Sequence, residues 1–104
     1  MVNQQSLIIV FNYGLEDDEP FYELSNRLRE LVEESGFGEY DGHGMAIDNS
    51  EGSFFMYAPD AKKLYEVIRG TIEKIPFLAG ANIRLRFGPS QERANEVNFI
   101  LNLN

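Results

Sequence analysis

Apolar positions along the chain alternate with period two in some stretches and with the helical period in others. Residues 6–13 (SLIIVFNY) are apolar on both alternating sets, Leu7, Ile9 and Phe11 on one and Ile8 and Val10 on the other. A strand covered on both faces reads this way, which predicts a central position in a sheet. Residues 14–18 form a turn rich in acids, where Asp17 or Asp18 caps a helix whose first turn holds Glu19 and Pro20. Phe21, Leu24, Leu28, Leu31 and Val32 follow helical spacing and leave Glu23, Arg27, Glu30 and Glu34 toward water. Gly36, tolerant of the left-handed conformation, ends the helix.

Residues 38–47 (GEYDGHGMAI) read as extended but poorly packed, because their three glycines favour a bulge or an edge position. After a turn at 48–52, residues 53–58 (SFFMYA) are apolar and aromatic, a second strand buried on two sides. Pro59 and Asp60 open a second helix with Ala61, Leu64, Ile68, Ile72 and Ile75 as its buried stripe, and Pro76 ends it. In residues 81–87 (ANIRLRF), Ile83, Leu85 and Phe87 alternate with Arg84 and Arg86, predicting an edge or near-edge strand. In residues 96–103, Val97, Phe99, Leu101 and Leu103 alternate with asparagines and Ile100, predicting a fifth strand hairpinned onto the fourth.

This order predicts one α+β domain over residues 1–104, a ferredoxin-like βαββαβ sandwich with an additional C-terminal strand. Its topology makes strands one and three central, in agreement with their apolar content, and sets both helices on one face. The second apolar set of strand one, Ile8 and Val10, and one set of strand three, Phe54 and Met56 or Phe55 and Tyr57, then point away from the helices. Burying such side chains contributes about 1.5–3 kcal/mol each, and exposed apolar patches mark interaction surfaces. The expected contact residues are Ile8, Val10, Phe55, Tyr57 and Phe99, and the expected partner is a second copy of the chain or another protein.

Charge changes the picture in one respect. The formal net charge of −8 is divided unevenly: residues 1–60 carry thirteen acids against Arg27 and Arg29, a balance of −11, and residues 61–104 carry +3. A net negative field repels phosphate backbones, so no nucleic-acid partner is expected, and a basic protein would be attracted. Phe11, Phe54, Phe55 and Tyr57 occupy the strands on which RNA-recognition domains stack bases, but an acid, Glu51, stands where that family's third strand has a base. No apolar run approaches the roughly 20 residues of a membrane helix, and no basic segment precedes the first apolar stretch, so the expectation is a cytoplasmic chain with no membrane partner. The chain has no cysteine, which excludes disulfides and sulfur-ligated metals.

Candidate chemistry is sparse. Glu39, Asp41 and His43 have strand period, which predicts three proton carriers or metal ligands on one face, although one strand seldom closes a site alone. Arg84 and Arg86 share a face suited to clamping a carboxylate or phosphate, or to pairing with acids of a neighbouring strand. No phosphate loop, nucleophile elbow or zinc-ligand pair occurs, so neither cofactor nor metal is expected. Three functional readings follow: a non-enzymatic interaction or regulatory module that self-associates through the helix-free face, a small-molecule site or modest enzyme using His43, Asp41 and Arg86, and an acidic inhibitor of a basic toxin.

The stretches GEYDGH, MYAPDAKKL and IRLRFGP, covering roughly residues 38–89, resemble a group of small uncharacterised bacterial proteins. The resemblance implies a ferredoxin-like fold and brings no catalytic residues with it.

Overall fold

The computed structural model describes residues 5–88 and 95–101. In chain order it contains β1 (Gln5–Asn12), α1 (Glu19–Ser35), β2 (Glu39–Met45), β3 (Glu51–Ala58), α2 (Ala61–Ile72), a 3-10 turn at Pro76–Leu78, β4 (Asn82–Arg86) and β5 (Glu96–Ile100). The chain is α+β: two helices and one antiparallel sheet in the order β2-β3-β1-β4-β5. The continuation of the fifth strand to Leu103 lies outside the described residues.

Alternation of burial assigns the two faces. Leu7, Ile9, Phe54, Met56 and Ile83 are wholly buried, together with Phe21, Leu28 and Val32 of α1 and Leu64, Ile68 and Ile72 of α2. Their neighbours Ile8, Val10, Phe55 and Tyr57 are only half-buried. Both helices therefore lie on the side of Leu7 and Phe54, and the core sits between them and the sheet. Phe54 stacks with Phe11 and with Phe21, each at 5.2 Å between ring centroids. Gly52 makes room for this cluster: a Cβ there would stand 2.6 Å from the Phe11 ring.

The helix ends follow local chemistry. The Asp17 carboxylate accepts from the Glu19 N–H and the Asp60 carboxylate accepts from the Lys63 N–H, occupying donors that have no partner inside the helix. Gly36 closes α1 at φ 64°. The second helix ends at Ile72, earlier than the expected Ile75. Pro76 disfavours the helical conformation in the residue before it, and Ile75 is extended (φ −98°, ψ 110°).

Candidate interaction surface

Three full rows cross the helix-free face of the sheet, and beyond the first of them Asn12 of β1 pairs with Glu51 of β3. Residues directly opposite one another in a ladder point to the same side. One row runs Gly44, Ser53, Val10, Asn82, Ile100; the next Gly42, Phe55, Ile8, Arg84, Asn98; the third Glu39, Tyr57, Ser6, Arg86, Glu96. Ile8, Val10, Phe55 and Tyr57 thus form one apolar tract over the two central strands. No helix or strand among the described residues crosses it. Ile100, 53% exposed, adds an apolar end to the first row. Its alternation with Phe99 carried the signal, because a strand cannot turn both residues to one side.

Phe99, expected on this surface, faces the other way. It lies opposite the buried Ile83 and its ring meets Tyr65 of α2 edge-on at 5.3 Å. In β5 the set Val97, Phe99 continues the core face of β4, which leaves Glu96, Asn98 and Ile100 for the helix-free side. The surface residue contributed by this strand is therefore Ile100.

Arg84 and Arg86 do share the helix-free face, and β5 engages both. Arg84 Nε donates to Asn98 Oδ1 at 3.2 Å, and an Arg86 guanidinium N–H donates to Glu96 Oε1 at 2.9 Å. The Arg86–Glu96 pair is half-buried, so it is screened less than a surface pair. Arg84 remains exposed. Pairing with a neighbouring strand, one of the two expectations for these arginines, is what the geometry provides.

The expected alignment of Glu39, Asp41 and His43 is broken by a bulge. Pairing steps from Tyr40 opposite Met56 directly to Gly42 opposite Phe55, so Asp41 is the extra residue and period two is lost. Gly42 adopts φ 149° there, a conformation that side chains disfavour. Glu39 consequently lies on the helix-free face opposite Tyr57. His43, opposite Phe54, turns to the helix side with Tyr40.

There the hydroxyl of Ser25 on α1 lies 2.7 Å from the Tyr40 hydroxyl and 3.1 Å from His43 Nδ1. Phe21 and Tyr22 meet the imidazole edge-on, and the Arg29 guanidinium sits 5.2 Å from the centre of the Tyr40 ring. Burial pushes the Tyr40 hydroxyl above the usual tyrosine range, against smaller opposite effects from the Ser25 hydrogen bond and Arg29. Ser25 is 1% exposed, so the hydroxyl beside the imidazole is closed to a substrate. What this group does is tie the edge strand β2 to α1. Neither Asp41 nor Arg86 joins His43, since Arg86 lies across the sheet on the opposite face.

Two further features complete the surface. The β1–α1 loop and the β2–β3 turn are joined by the Gly14 N–H donating to Asn49 O at 2.7 Å and by the Asn49 side chain donating to Leu15 O and to the Asp18 carboxylate. This brings Glu16, Asp17, Asp18 and Asp48 together with Leu15 (42% exposed) and the fully exposed Ile47. Between the helices an open cleft of about 350 Å³ is lined by Pro20, Leu24, Arg27, Thr71, Ile75 and Phe77. Among the described residues no group of three or more acids or histidines could hold a metal ion, and no helix is long and apolar enough to cross a membrane. No family model, curated protein or solved structure matches the chain.

Proposed function

We propose that this protein is a non-enzymatic interaction module that associates with a second copy of itself through the helix-free face of the sheet. The observation that carries the reading is the tract Ile8, Val10, Phe55 and Tyr57, continuous across the two central strands and left half-buried while its neighbours on the other side are sealed. The strand order 2-3-1-4, with a helix in each crossover, supports a ferredoxin-like sandwich extended by a C-terminal strand. In such a sandwich one face is free to dock. Sedimentation equilibrium tests it: the chain should dimerise at about 100 µM or below, and Phe55→Glu should keep the fold and remain monomeric. A monomeric parent chain ends the proposal. A site at His43 has less support: the imidazole is exposed, but neither Asp41 nor Arg86 joins it, and the Ser25 hydroxyl beside it is sealed.

A second reading is favoured by the acidic end of the molecule, where Leu15 and Ile47 stand exposed among four carboxylates. A basic partner with an apolar anchor fits that combination by charge and by burial. Titration with a Lys/Leu-rich peptide, repeated with Ile47→Asp, tests it, and binding indifferent to that change removes the reading.

A further inference from the structure

Charge on the helix-free face is distributed so that the face complements itself. Glu39 stands on β2 at one flank of the apolar tract, while Arg84 and Arg86 stand on β4 at the other; of the remaining acids on this face, Glu96 pairs with Arg86 within the chain and Glu51 lies at the far end of β3 opposite Asn12. Two sheets stacked face to face are related by a two-fold axis lying between them, either across the strands or along them. An axis across the strands lays like strands over like and brings Arg84 of one copy onto Arg84 of the other. An axis along the strands, between β1 and β3, lays β1 over β3 and β2 over β4. It lays Ile8 of one copy over Phe55 of the other and sets Glu39 over Arg86, which shares its row, with Arg84 one row away on the same strand. The first arrangement opposes like charges and the second pairs unlike ones.

We propose that two copies of this chain meet across an axis parallel to β1 and β3, with Glu39 of each copy above Arg86 of the other and diagonally within side-chain reach of its Arg84. This orientation rests on the self-association reading above. Arg86 is already held by Glu96, whereas Arg84 is exposed and its Nε meets the neutral Asn98, so Arg84 is the cation that gains most from the acid of a second copy. Stacked sheets lie about 10 Å apart, within joint reach of a glutamate and an arginine side chain. Five strands at about 4.8 Å spacing present a projected face of about 500 Å². That is a small face beside the roughly 800 Å² per partner of a standard interface, which puts the pair among dissociable dimers.

Charge reversal tests the orientation. Sedimentation equilibrium from about 1 to 300 µM would be run on the parent chain, Glu39→Lys, Arg84→Glu and the double variant, with circular dichroism holding the fold constant. Each single reversal is expected to weaken dimerisation at least about fivefold, since both symmetry-related contacts turn repulsive. The double variant should return to within about threefold of the parent, because both contacts are restored with signs exchanged. A double variant as weak as Arg84→Glu, or single variants without effect, would overturn this axis while leaving self-association standing. A parent chain monomeric throughout the range would overturn both.

Discussion

Phe55 and Ile8 face one another across the β3–β1 ladder on the side of the sheet away from both helices, while Phe54, one residue earlier, is wholly enclosed on the other. Truncating these adjacent phenylalanines should therefore have very different consequences. Phe54→Ala is expected to cost about 3–5 kcal/mol, because it empties a site shared with the Phe11 and Phe21 rings. Phe55→Ala should cost about 1–2 kcal/mol when measured below the association range, because that ring is only partly buried in the single chain. Urea unfolding at low concentration checks both. Equal losses would mean that Phe55 is as fully enclosed as Phe54, and a reversed order that the two faces have been exchanged.

The Ser25 hydroxyl joins Tyr40 and His43, so its removal leaves two polar groups to find new partners. Ser25→Ala is expected to destabilise by about 1–2 kcal/mol, and the pair Ser25→Ala with Tyr40→Phe by less than the sum of the two. The hydroxyl of Tyr40 also gives a pH dependence. Burial raises its folded value above the ordinary tyrosine value of 10.0, so the folded chain holds this proton more tightly than the unfolded one. Its contribution is complete below that ordinary value and is lost as pH rises through the folded one. Stability should therefore fall above about pH 10, and Tyr40→Phe should make the fall shallower. Tyr13 and Tyr65, raised first by burial, keep part of the slope. An unchanged slope in Tyr40→Phe would refute the assignment.

Gly52 pairs with Phe11 at the point where three aromatic rings crowd the end of β3. A methyl group there would lie 2.6 Å from the Phe11 ring and 3.3 Å from that of Phe21. Gly52→Ala should accordingly cost about 1–3 kcal/mol through displacement of rings that have nowhere to go. Gly70→Ala is the control: nothing lies within 4 Å of a methyl there, and an alanine in a helix interior gains about 1 kcal/mol over glycine. Thermal melts of the two variants should move in opposite directions.

The chain by itself determined its elements and their broad arrangement. Period-two and helical patterns are local properties, so β1, α1, β3 and α2 could be read directly. Two strands apolar on both sides, residues 6–13 and 53–58, had to be central wherever the others lay. The Arg84–Arg86 face and a helix-free tract containing Ile8 and Val10 followed from the same alternation. Tertiary structure decided the orientation of everything that depends on register. Phe54 and Phe55 are equally apolar, and only pairing with β1 selects which one faces the helices. The single extra residue at Asp41 separates Glu39 from His43 and sends the imidazole to Ser25, eighteen positions earlier in the chain. Phe99 turned inward because β4 had already fixed the core side of that edge. A shift of one residue exchanges the faces of a strand, and what sets it is contact with a distant partner, which no local pattern contains.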